Sequence, residues 1–225
     1  AKEAVQAFAM VREVVSDLQN EISGTLRLGV IPTIAPYLLH RFIPDFVRKC
    51  PKVELQIREM MTGDIIRALD RDMLDAAIMA GGIREEELFN DRFFAYVSTD
   101  HPLCQRSNIR IEDIDVRHLL LLSEGNCLRD QVIELCQAQK NIARQYSFES
   151  GSLETLMRIV DNTPNLITII PEMVADYIDE KHRPQVKTLA KGAASRKITI
   201  AVRRTYVKRS LIDALKESVM NVARN

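Results

Sequence analysis

The stretch TLRLGVIPTIAPYLLHRFIPDFVRKCPKVELQIREMMTGDIIRALDRDMLDAAIMAGG, Thr25–Gly82, decides the fold class. Thr25–Ile31 reads as a strand, and Pro32-Thr33 opens a helix whose apolar face holds Tyr37, Leu38, Phe42 and Phe46, with Pro44 allowing a kink. Val53, Leu55 and Ile57 alternate with Glu54, Gln56 and Arg58, so Val53–Met60 is a second strand. Thr62 reads as the N-cap of a helix carrying Ile65, Ile66 and Leu69. Asp75–Met79 is a third strand, closed by Ala80-Gly81-Gly82. Strand and helix in strict alternation imply a parallel sheet with right-handed crossovers, an α/β fold.

Upstream, Ala4, Phe8, Val11, Val15, Leu18 and Ile22 are spaced four, three, four, three and four. That is a heptad seam, expected either for a coiled-coil helix pairing two chains or for one amphipathic helix lying on its own domain. Downstream, Phe93–Ser98 is a further strand, and a second β/α series begins at Leu119–Leu122. It continues through a helix near Cys127, a strand at Gln145–Glu149, a helix at Ser152–Val160 and a strand at Leu166–Ile170. A helix through Val174 and Tyr177, the strands Val186–Leu189 and Lys197–Arg203, and a last helix at Leu211–Ala223 complete it.

The 225 residues suffice for one large or two small cores, and 31 basic residues balance 31 acidic ones. Such neutrality does not point to a nucleic-acid backbone as this chain's own partner, for which a basic face is expected, and leaves room for local patches. No apolar run approaches the roughly 20 residues of a membrane span, and no cleavable signal pattern opens the stretch, so a cytoplasmic setting is expected. The cysteines at 50, 104, 127 and 136 show no C-x-x-C spacing and the four histidines are scattered, so neither a structural metal site nor a secreted disulfide framework is expected.

Two of those cysteines flank the segment SEGNCLRDQVIELCQ, Ser123–Gln137. The turn Glu124-Gly125-Asn126 leads into a helix starting near Cys127, with Leu128, Val132, Ile133 and Leu135 on its apolar face. Cys127 then sits at the positive end of a helix dipole with Arg129 nearby, a setting that favours a thiolate. In an unbroken helix its Cα would be about 13.5 Å from that of Cys136 along the axis. A disulfide requires roughly 4.4–6.8 Å. The pair is either a redox switch that bonds only by unwinding the segment, or a buried core thiol beside an incidental helix-start residue.

Several blocks resemble the regulatory part of the LysR-type transcriptional regulators, and among these the peroxide sensors. They are GVIPTIAPYLLHRFIP (Gly29–Pro44), PKVEL (Pro51–Leu55), DHP (Asp100–Pro102), EGNCLRDQ (Glu124–Gln131) with Cys136 at the family spacing, and SLETL (Ser152–Leu156). The β/α pattern is shared across the family, whereas the cysteine block is particular to the peroxide sensors. The resemblance implies two Rossmann-like subdomains of the periplasmic-binding-protein type: 23–94 with 196–225, and 95–195. A linker or dimerisation helix, 1–22, would precede them.

The resemblance also implies roles. Cys127 would be the peroxidatic cysteine and Cys136 the resolving one, with Cys50 and Cys104 structural or incidental. Thr33, Thr62, Asn126, Arg129 and Asp130 would line a peroxide pocket, although each threonine also reads as an ordinary N-cap. Asp130 would orient Arg129 or accept backbone hydrogen bonds in the first turn. The family often carries histidine where this chain has Asn126, and an asparagine takes up no proton. The implied function is a peroxide-sensing regulatory domain, not an enzyme, with no cofactor. Its implied partners are hydrogen peroxide, further copies in a homodimer or homotetramer, and a glutaredoxin- or thioredoxin-like reductant. Promoter DNA and RNA polymerase would be engaged through the full-length protein's winged helix-turn-helix, and no membrane is involved. The alternative is a LysR-type domain binding a small organic effector between its subdomains, with the cysteines incidental. A solute-binding protein and a thiol peroxidase fit less well.

Overall fold

The computed structural model describes residues 22–81, 85–136, 150–190, 194–203 and 209–223. The expected helix over 1–22 (apart from Ile22) and the expected strand Gln145–Glu149 lie outside the described residues. The fold is α/β, and the chain divides into two compact units, Ala1–Phe89 with Thr199–Asn225, and Asn90–Ile198.

In the first unit, β1 (Ser23–Val30), α1 (Ala35–Lys49), β2 (Lys52–Glu59), α2 (Thr62–Asp70) and β3 (Ala76–Ala80) follow the expected alternation. β1 lies between β2 and β3 and is parallel to both, with Leu28 opposite Ile57 on one side and Ala76 on the other. The end of β9 (Ser195–Val202) lies beyond β3, and the chain closes with α6 (Arg209–Ala223). Ala35, Leu38, Phe42 and Phe46 are the buried face of α1, at the helical spacing that drives this helix onto the sheet. Pro44 lies inside the helix, where its ring removes the donor to the His40 carbonyl.

A Cβ on Gly29 would meet Leu74 Cδ1 at 2.6 Å, so glycine permits the fully buried Leu74 to close against β1. Beside it, Arg27 makes two side-chain bonds to the buried Asp75, from Nη2 at 2.7 Å and Nε at 2.9 Å. Arg203 reaches Asp75 from the end of β9, its Nη2 at 3.7 Å and its backbone N–H on the Asp75 carbonyl at 3.0 Å.

The second unit holds a mixed sheet in the order β5-β8-β4-β7-β6. Its strands are β4 (Glu85–Val97), β5 (Asn108–Ile109), β6 (Leu119–Leu120), β7 (Ile167–Pro171) and β8 (Val186–Leu189). β4 runs antiparallel to β7 and β8, while β6 is parallel to β7. The helices are α3 (Cys127–Leu135), α4 (Leu153–Asn162) and the single turn α5 (Glu172–Ala175).

Three expectations are corrected here. β4 begins at Glu85, eight residues before the expected strand, because pairing overrides the weak strand preference of its acidic start. β6 stops at Leu120, since the buried Leu121 and Leu122 leave the ladder for a turn. The helix expected through Tyr177 is one turn long, and Tyr177 is half exposed.

Asp91 and Arg196 form an ion pair with both side chains fully buried, Arg196 donating from Nε at 3.0 Å and Nη2 at 2.9 Å. The other Asp91 oxygen accepts the Met173 N–H at 3.1 Å, joining β4, β9 and α5. Burial pushes the Asp91 carboxyl upward while Arg196 opposes the shift. Removing one partner of such a pair strands a buried charge and costs about 3–5 kcal/mol.

In the DHP block the buried His101 forms a cap. His101 Nδ1 accepts the Leu103 N–H at 3.0 Å and starts the 3-10 turn Pro102–Gln105. Burial, and then the neighbouring His118, hold the imidazole below its ordinary value of 6.5, with Asp115 pulling the other way. The unfolded chain therefore binds a proton at pH values where folded His101 does not, and stability falls as pH drops below about 6.5. Urea unfolding between pH 5 and 8 should show that loss in the parent, and His101→Asn, which keeps an acceptor without the titration, should flatten it. An unchanged pH slope would contradict the assignment.

Candidate functional site

α3 starts where the sequence analysis expects, at Cys127, with Asn126 as the N-cap residue. The turn before it needs Gly125, which adopts φ +87°, a left-handed conformation that a side chain would strain. Leu128, Val132 and Ile133 are buried on the core side, whereas Leu135 is half-buried. Cys136 caps the helix, its N–H bonded to the Val132 carbonyl at 3.0 Å. The helix is thus continuous from one cysteine to the other, all four cysteines are free thiols, and both cysteines of this helix are partly exposed.

The thiols therefore stand at opposite ends of about two and a half helical turns, too far apart for a disulfide. Burial raises the Cys136 thiol to about 11, so it is protonated at neutral pH while this conformation lasts. Cys50 is buried, and its thiol is also raised by burial. Cys104 lies 3.8 Å from the Pro184 carbonyl.

The other expected site residues fall into two groups, one in each unit. In the second unit, Asn126 is 3% exposed, and its Nδ2 donates to Ser123 O at 3.2 Å and Ser123 Oγ at 3.1 Å. Arg129 folds back onto the same loop, donating from Nη1 to the Leu122 carbonyl at 3.0 Å and reaching Glu124 at 3.9 Å. Asp130 stands exposed in the first turn, so Arg129 is held by Leu122 and Glu124.

In the first unit, Thr33 and Thr62 follow the carboxyl ends of the adjacent parallel strands β1 and β2. Neither is an N-cap. Thr33 is buried in the turn before α1, whose N-cap is Ile34, and Thr62 is the first residue of α2 after the extended Met61. Thr62 Oγ1 is buried with no hydrogen-bond partner.

One residue escaped the sequence analysis. Gln131 stands four residues after Cys127, on the same helix face, and its Oε1 is buried without a partner. The signal was an amide beside an apolar stripe, inside the block already singled out. Behind α3, a cavity of about 10 Å³ lined by Leu120, Leu128, Val132, Leu156 and Thr168 holds at most a single water. An open hollow of about 300 Å³ near Phe94, Glu172 and Arg183 includes none of the expected site residues. Among the described residues no cluster of His, Cys, Asp and Glu could hold a metal ion, and no helix is long and apolar enough to cross a membrane.

The Cys136 environment carries a direct test. Against the ordinary value of 9.0, a thiol raised to about 11 has a roughly hundredfold smaller thiolate fraction at neutral pH. In the reduced protein at pH 7.5, iodoacetamide should label Cys136 about a hundredfold more slowly than in urea. Equal rates would contradict a desolvated Cys136 thiol.

The family model for the LysR substrate binding domain matches residues 19–224. A hydrogen peroxide-inducible genes activator of Dickeya chrysanthemi is 33% identical over 179 residues, 77% of this chain and 58% of that protein. The DNA-binding transcriptional dual regulator OxyR of Escherichia coli K12 is 31% identical over the same share of each chain. The chain thus spans a little over half the length of these relatives. Among solved structures, OxyR from Porphyromonas gingivalis superposes with a TM-score of 0.81 at 31% identity, covering 89% of this chain and 93% of that one. The reduced OxyR regulatory domain of Pseudomonas aeruginosa gives 0.79 at 29% identity, covering 89% and 99%. With its sheets, its cysteine helix and these likenesses together, the chain belongs to the LysR substrate-binding domain family and, within it, to the OxyR regulatory domains.

Proposed function

We propose that this chain is the sensing domain of a peroxide-responsive transcription activator, with Cys127 and Cys136 as its redox pair. The observation that carries the reading is the single unbroken helix with a free thiol at each end. Oxidation state and conformation are then coupled, because the bond and the intact helix exclude one another.

In the first step the Cys127 thiolate attacks one oxygen of hydrogen peroxide. The O–O bond breaks, hydroxide leaves and is protonated to water, and Cys127 becomes a sulfenic acid. In the second step the Cys136 sulfur attacks Cys127, the S–O bond breaks, and the thiol proton leaves with the hydroxyl as a second water. The two thiols supply both electrons. Cys127 meets peroxide first, while the high value of Cys136 keeps it a thiol until the helix opens.

The unpaired Gln131 carbonyl, one helical turn along from Cys127, offers a hydrogen bond suited to a peroxide or a water. Each domain consumes one peroxide per oxidation and needs a thiol reductant of the glutaredoxin or thioredoxin class to reset. In the longer protein, the opened segment alters contacts between copies and thereby the attached DNA-binding domains, their promoter and RNA polymerase.

The test is non-reducing peptide mass spectrometry after a small excess of hydrogen peroxide, on the parent, Cys127→Ser and Cys136→Ser. The parent should yield a Cys127–Cys136 disulfide, Cys136→Ser a trapped sulfenic acid at Cys127, and Cys127→Ser neither. Oxidation of Cys127 no faster than that of Cys50 or Cys104 would overturn the proposal.

A further inference from the structure

The loop ahead of Cys127 is tied down by polar groups that the two oxidation steps do not use. An asparagine at the N-cap ordinarily turns its side-chain oxygen onto the first helical N–H groups. Asn126 does not, and makes no cap bond. Its carboxamide instead points back to Ser123, donating to both the carbonyl and the hydroxyl.

Ser123 in turn donates its N–H to the Ser150 carbonyl at 2.8 Å, two residues before Ser152, the N-cap of α4. On the helix side, the Asn126 carbonyl accepts the Arg129 N–H at 3.0 Å, and the Arg129 guanidinium closes onto Leu122. The N-cap residue of α3 is therefore anchored both to the loop before it and, through Ser123, to the chain entering α4.

We propose that Asn126, acting through Ser123, is a positioning residue that latches the dithiol form. This inference rests on the reading of Cys127 and Cys136 as a redox pair. Bridging the pair requires residues of α3 to leave the helix, and bonds that fix its start stabilise the arrangement in which the sulfurs are apart. The latch opposes disulfide closure and sets the midpoint at which the domain switches. An amide donor does this without titrating, so the set-point carries no proton-dependent contribution from position 126.

The test equilibrates the protein with glutathione buffers. Two protein thiols and one glutathione disulfide exchange to one protein disulfide and two glutathione thiols, so two electrons and two protons pass to glutathione. A buried hydrogen-bonded amide contributes about 1 kcal/mol net, so Asn126→Ala should move the equilibrium about fivefold toward the disulfide. At 29.6 mV per tenfold, the midpoint becomes roughly 20 mV more negative.

Ser123→Ala removes only the hydroxyl acceptor and should give about threefold in the same direction, which keeps the idea testable if Asn126→Ala does not fold. In a Cys136→Ser background, Ser123→Ala should leave the rate of dimedone trapping at Cys127 unchanged. A parent-like midpoint in both variants, a shift toward the dithiol, or slower trapping would overturn the latch while leaving the redox pair standing. A parent that forms no Cys127–Cys136 disulfide at any glutathione ratio would overturn both.

Discussion

Nine helical residues hold two thiols apart, and that separation is the constraint from which the rest of the account follows. An isolated helix as short as α3 is unstable in water. It persists because Leu128, Val132 and Ile133 are buried against the second unit's core. Each such side chain contributes about 1.5–3 kcal/mol, an upper estimate, so the helix is held chiefly by packing. A bond between the cysteines must overcome that packing together with the polar anchors at the helix start. The site therefore has an all-or-none character that neither cysteine possesses alone.

The two sulfurs are made unequal by position. Cys127 occupies the helix start, while Cys136 is a desolvated thiol raised to about 11. Under the proposed function, a pair built this way separates attack from resolution, because the second sulfur becomes a good nucleophile only when the helix no longer buries it. The Asp91–Arg196 pair, the Arg27–Asp75–Arg203 cluster and the His101 cap fix strands and turns within each unit. Under the proposed function, the segment that changes is a short helix.

Much of this was legible in the sequence because periodicity reports burial. Val53, Leu55 and Ile57 mark a strand with one covered face, and Leu38, Phe42 and Phe46 mark a helix stripe. The start of α3 followed from turn chemistry around Gly125 and an apolar period beyond it. What could not be read were contacts made across sequence distance. Asp91 and Arg196 lie 105 residues apart, and nothing local distinguishes them from surface charges. Arg129 looked like a companion for Cys127 by proximity alone, yet the Leu122 carbonyl, seven residues back, takes its guanidinium. Thr62 carried a cap signature, but Met61, in extended backbone, takes the N-cap position, which moves the threonine one place into the helix and leaves its hydroxyl unpaired.

The most direct test of the coupling between bond and helix is amide hydrogen exchange across Arg129–Cys136 in the dithiol protein and in the peroxide-treated disulfide form. The account predicts that amides protected in the dithiol form, including that of Cys136 on the Val132 carbonyl, lose protection once the disulfide is made. A Cys127–Cys136 disulfide formed with that protection intact would contradict it.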